Sequence, residues 1–99
     1  MRTARFHSEA RLEFLDTVAY YEEIQAGLGA RFRTAVEAVV GLALAMPTAG
    51  TAYKFGLRRV FPTKFPFSIV YKEDESGIVV FAVAHFKRRP GYWKSRQGT

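Results

Sequence analysis

Cysteine is absent from this 99-residue chain. No disulfide or thiolate metal site can therefore hold the fold, and no thiol can act as a nucleophile. That absence fits a reducing compartment. Long apolar runs are missing as well. None approaches the ~20 residues that a membrane span requires, and the N-terminus has no apolar signal-peptide core. A soluble, cytoplasmic chain with no membrane partner is the expectation. No His/Asp/Glu cluster with metal-ligand spacing, phosphate-cradling glycine loop or Ser/His/Asp arrangement is present, so no metal and no cofactor is expected. Acidic residues are scarce in the second half. Residues 51–99 carry ten Lys or Arg against three acids, a net +7, whereas residues 1–50 carry five Arg against six acids, a net −1. An excess concentrated in one half points to a surface that meets a polyanion or an acidic partner, rather than to generic solubilising charge.

What is present is a folding composition. At 48% hydrophobic and 15% aromatic residues, the chain has the material for a core and does not belong with disordered sequences. Its length suits one domain over residues 1–99. Arg2 to His7 alternates weakly and reads as a short strand. Ser8 is the expected N-cap of a helix reaching about Ala26, with Ala10, Phe14, Thr17, Val18, Tyr21 and Ile24 on one stripe. Leu12, Leu15 and Ala19 form a second apolar strip, which predicts a helix wedged between two neighbours. Gly27-Leu28-Gly29 breaks the pattern, with Gly27 as a left-handed C-cap in a helical hairpin. A second helix is expected from about Ala30 to Met46, its core stripe running through Phe32, Ala35, Val36, Val39, Val40, Ala43 and Met46, and Pro47 ends it.

After a loop over 47–55, Leu57 to Phe61 and Phe67 to Lys72 read as strands, with Pro66 at a strand start. The acidic turn Glu73 to Gly77 leads into Ile78 to Ala84, a strand apolar on both faces and so a central one. Short turns make these three strands antiparallel neighbours. The order is strand, helix, helix, strand, strand, strand, then a basic aromatic tail. The prediction is an α+β fold, with the helical hairpin on one face of a small, antiparallel-rich sheet. What covers the sheet's other face is open at this point, and a partner is one candidate.

The ordered set of motifs carries a resemblance. It comprises Tyr20-Tyr21, Gly27-Leu28-Gly29 with Phe32, Pro47, Arg58-Arg59, Phe65-Pro66-Phe67 and finally AVAHFKRRPGYWKSR. The chain resembles the RelE/ParE superfamily of toxins from type II toxin–antitoxin modules, and is most similar to the ParE-like, plasmid-stabilisation branch. The resemblance implies a small sheet with a helical hairpin, and a cognate antitoxin, encoded by an adjacent gene, as partner. It implies one of two targets. ParE-like members poison DNA gyrase without catalytic residues of their own. RelE-like members cleave mRNA in the ribosome without metal. The fold does not choose between them, and a non-toxic antitoxin-binding member is a third reading.

Metal-free RNA cleavage needs a base, an acid and cations for the phosphate. His85 suits either proton-transfer role, since histidine titrates near neutrality. With the resemblance, His85, Arg58, Arg88 and Tyr92 are the catalytic candidates if the chain is a ribonuclease. Arg59, Lys87, Arg89, Trp93 and Arg96 are candidates for contacts to the target or the antitoxin. Arg58 and Arg59 are adjacent on a strand, so they point to opposite faces and only one can face a given site. The structural alternatives are plain: His85 bonded to a backbone group at a strand end, and Tyr92 and Trp93 packing the tail onto the sheet. Lys54 stands nearly alone, without the lysine cluster that the ribonuclease branch places before the middle strand. That departure favours the gyrase reading.

Overall fold

The structure is a computed structural model and describes residues 1–98. The elements are β1 (Thr3–Phe6), α1 (Ser8–Ile24), α2 (Leu28–Ala45), β2 (Thr51–Ala52), β3 (Arg58–Val60), β4 (Phe67–Asp74) and β5 (Gly77–His85). They form an α+β fold in which the five strands run in the order β1-β5-β4-β3-β2. β1 pairs with β5 in parallel, and every other pairing is antiparallel. The doubly apolar β5 is an interior strand, flanked by β1 over Gly77–Val80 and by β4 along its length. Two ion pairs, Arg2 with Glu73 and Arg5 with Asp74, tie β1 to the acidic end of β4. The Arg5 bond holds the Asp74 carboxyl below its ordinary range.

The helical hairpin covers one face. Phe32, Val36, Val40 and Ala43 from α2 meet Val60, Phe67, Ile69, Tyr71, Ile78, Val80 and Val83 from the sheet, with Phe14, Val18 and Tyr21 of α1 at the margin. Phe32 stands edge-on to Phe65 and Phe67, with ring centroids 5.1 Å apart in each pair. Burying a side chain of this kind stabilises a fold by roughly 1.5–3 kcal/mol.

Several local expectations change. His7, not Ser8, caps α1: its Nδ1 accepts the Glu9 N–H at 3.1 Å. α1 ends at Ile24, and α2 already begins at Leu28. Gly27 is left-handed (φ 88°), but it is the residue that opens α2 rather than the cap of α1. The Glu22 carboxylate accepts the N–H groups of Gly27 and Gly29, so it holds the tight corner from the α1 side. The second apolar strip of α1 is not buried. Leu12 and Leu15 are exposed, and α1 packs through one face only. Residues 47–55, expected as loop, include the two-residue edge strand β2.

The sheet's second face is covered by the chain itself. Trp93 from the tail joins Leu57, Val70, Phe81, Ala82 and Ala84 in a second apolar cluster, flanked by Tyr53, Val79 and Tyr92. A β-bulge contributes to it. Val70 opposes Ala82 and Tyr71 opposes Val80, so Phe81 has no partner on β4. The extra residue puts Phe81 and Ala82 on the same side of the strand, which simple alternation does not allow.

Candidate functional site

The C-terminal tail is fastened by a residue that sequence reasoning missed. Strand β1 stops opposite Val80, so beyond that point one edge of β5 has no strand beside it. Glu13 of α1 fills the gap. Its Oε1 accepts the Val83 N–H at 3.0 Å, and Arg96 donates to the Phe81 carbonyl at 2.9 Å. Arg96 also donates to both Glu13 oxygens, each at 3.0 Å, and the Tyr92 hydroxyl donates to Oε2 at 2.7 Å. One partly buried carboxylate thus joins helix, bulge and tail. The available signal was positional: Glu13 lies on the same stripe as Ala10 and Thr17, so an acid sits where the periodicity calls for an apolar residue. Burial and the Glu13 carboxylate push the Tyr92 hydroxyl far above its ordinary range. For Arg96, burial opposes the charge, but the bonds to Glu13 outweigh it.

The remaining candidates divide between the two faces and the rim. Arg58 opposes Tyr71, a residue of the helix-side core, and donates to the Gly50 carbonyl at 2.8 Å. Arg59 opposes Val70 of the tail-side cluster, and its guanidinium lies 4.0 Å over the Tyr53 ring. The alternation expected of this pair is what separates them. His85 opposes Phe67, the two rings packing edge to face at 5.1 Å, and its Nδ1 accepts the Lys87 N–H at 3.0 Å. Lys87, Arg88 and Arg89 follow in an exposed turn. Arg88 covers the Tyr92 ring at 4.0 Å.

Two clefts adjoin this turn. One, of about 530 Å³, runs between α1 and the end of β5 and is lined by Glu13, Asp16, Tyr20, Tyr21, His85 and Arg88 among others. The other, of about 300 Å³, opens on the tail side and is lined by Arg59, Ser68, His85, Arg88 and Trp93 within an aromatic wall. The structure therefore brings His85, Arg88 and Arg59 near one another. It places Arg58 elsewhere. Trp93 is only 2% exposed and stacks on Tyr53, so its ring belongs to the core and is not available as a surface contact. Tyr92 and Arg96 are likewise committed to Glu13. Among the described residues no group of three or more His, Cys, Asp or Glu is arranged to hold a metal ion.

A family model described as the ParE toxin of the type II toxin–antitoxin system parDE matches residues 4–90. The chain belongs to the ParE toxin family. The match spans the sheet, both helices and the basic turn, and ends before Tyr92, Trp93 and Arg96. No curated protein matches the chain. As a toxin of a type II module, this ParE-family member belongs to a class that works opposite an antitoxin. No helix among the described residues is long and apolar enough to cross a membrane.

Proposed function

We propose that this ParE-family toxin arrests growth by binding DNA gyrase through the basic turn Lys87 to Arg89, and that a cognate antitoxin from an adjacent gene neutralises it. The observation that carries this reading is the dispersal of the groups that RNA cleavage would need. Arg58 opposes Tyr71, four residues along β4 from the Phe67 that faces His85. At ~3.4 Å per residue this is roughly 14 Å. The Tyr92 hydroxyl is already donated to Glu13 and resists ionisation. A cleavage site needs base, acid and phosphate clamp within hydrogen-bond reach of one phosphodiester. The exposed turn, by contrast, needs no internal geometry to dock on an acidic or DNA-bearing surface.

A second reading, ribosome-dependent mRNA cleavage, retains one supporting feature: Arg59, His85 and Arg88 border a common cleft. Induced expression followed by two measurements separates the two readings. Primer extension on an abundant message reports cuts, and a supercoiling assay with purified gyrase reports inhibition. The gyrase reading expects intact message, inhibited supercoiling, toxicity that survives His85→Ala, and toxicity lost when Lys87, Arg88 and Arg89 become glutamate. Cuts within codons that disappear in His85→Ala would replace it with the ribonuclease. Intact message with normal growth would make the protein an antitoxin-binding member without toxicity.

A further inference from the structure

Arg59 is an arginine whose surroundings supply everything except its counter-charge. It is partly buried, held 4.0 Å over the Tyr53 ring and 5.2 Å from the Phe61 ring. Its Nε is sealed from solvent without a hydrogen-bond partner, and no ion pair among the described residues includes it. The Trp93 indole N–H, on the wall of the same cleft, is also buried and unbonded. Unsatisfied buried donors are rare in native proteins, and each calls for an explanation. The cleft is one-sided in its chemistry. Its polar lining consists of Tyr53, Arg59, Ser68, His85, Arg88 and Trp93, with no carboxylate, while Phe61, Phe86, Pro90 and Ala84 supply apolar walls.

We infer that this cleft is a receptor for an oxyanion, and specifically for a carboxylate carried on a short apolar stem, with Arg59 as its fork. The stack on Tyr53 fixes the guanidinium plane, so little further side-chain freedom is lost when two parallel N–H···O bonds form. A flat carboxylate matches that planar fork with both oxygens, and the apolar walls suit the methylene groups behind it. The volume of about 300 Å³ lies at the small end of ligand pockets, which suits an acidic side chain or a small organic acid. The inference does not rest on the gyrase reading, because its fork is Arg59 on β3, although the turn lends Phe86, Arg88 and Pro90 to the lining.

The chain contains a single tryptophan, so Trp93 gives one indole N–H resonance inside the cleft. The full-length labelled protein is titrated with sodium acetate at constant ionic strength, with inorganic phosphate as a parallel arm. The expected result is a saturable shift of the indole peak with acetate at millimolar concentrations. It should accompany a rise in Tm with acetate, because a ligand that binds only the folded state stabilises it. Arg59→Gln should weaken binding by about tenfold or more, the scale of losing a charge-assisted hydrogen-bond pair. Arg59→Lys keeps the charge but not the fork, should also bind more weakly, and serves where the glutamine variant does not fold. An indole peak that neither anion moves, or that acetate moves equally in the Arg59 variants, would overturn the assignment. Saturation by phosphate at lower concentration than acetate would overturn the carboxylate and make the cleft a phosphate site.

Discussion

The carboxylate of Glu13 and the guanidinium of Arg96 meet through two hydrogen bonds of 3.0 Å each, joining the first helix to the C-terminal tail. Both side chains are largely withdrawn from solvent, at 17% and 13% exposure. A pair in that setting is costly to break from one side, because the survivor keeps its charge without its partner. Glu13 holds more than Arg96. The Val83 N–H and the Tyr92 hydroxyl also depend on it.

Glu13→Ala should therefore destabilise the protein by about 2–4 kcal/mol, somewhat below the roughly 3–5 kcal/mol for unpairing a fully buried charge because both groups keep some exposure. Urea unfolding measures it. The double variant Glu13→Ala/Arg96→Ala should lose clearly less than the sum of the single variants, because their interaction is counted in each. Additive losses would mean that the two groups act independently.

Tyr92 sets an alkaline limit. Its folded-state pKa is raised by burial first and by the Glu13 bond second. The native state thus favours the protonated phenol. This contribution is fully present below the unfolded phenol pKa of ~10 and fades as pH rises above it, since the unfolded chain ionises more readily. Thermal unfolding should show a plateau through neutral pH and a decline beyond ~10. Tyr92→Phe should flatten that decline. Tyr71 and Tyr21, both raised by burial, should leave part of it in place. An unchanged alkaline slope in Tyr92→Phe would remove the hydroxyl–Glu13 bond from the account.

Periodicity carried most of the architecture. Of the expected α2 stripe, Phe32, Val36, Val40 and Ala43 are buried toward the sheet with Val39 beside them, whereas Met46 at its end is exposed, and the doubly apolar β5 lies inside the sheet. The exposed strip of Leu12 and Leu15 shows where the same logic fails, since apolar spacing marks a face without saying what covers it. The tail showed the converse. That Trp93 packs the tail onto the sheet was legible from its aromatic bulk, but its partners Leu57 and Phe81 were not, since no local pattern names them. Among the candidate residues, the opposed directions of Arg58 and Arg59 were legible from strand geometry alone. Glu13 was not singled out, because one acid on a helix reads as solvated charge until the bulge beside it is known.

Tyr71 anchors the loop after α2. Its hydroxyl donates to the Pro47 carbonyl at 2.6 Å and accepts the Gly50 N–H at 3.1 Å. Tyr71→Phe leaves both groups without that partner and should cost about 1–3 kcal/mol. Gly50→Ala attacks the same place by volume, since a Cβ there would lie 2.2 Å from the Tyr71 oxygen. It should cost at least as much, and combining the two changes should relieve part of the clash. Chemical denaturation of the three variants checks this. Strict additivity would count against the contact.

Gly29→Ala tests helix propensity against packing. Within a helix, alanine is favoured over glycine by about 1 kcal/mol, so an exposed site would gain stability. Gly29 is buried where α2 crosses α1, and an added Cβ would lie 2.4 Å from the Val18 carbonyl oxygen. That neighbour is backbone and cannot rotate away, so the helices must move apart at this contact. Overpacking of this kind costs typically about 1–3 kcal/mol, and a contact this short should sit toward the upper end of that range. The clash should win, with a net loss of about 1–2 kcal/mol after the propensity gain is subtracted. Gly41→Ala is the matched control, because it lies in the same helix with nothing within 4 Å of the added Cβ, and it should stabilise. A gain at both positions would mean that the hairpin opens at little cost, and that the close crossing does not fix the angle between α1 and α2.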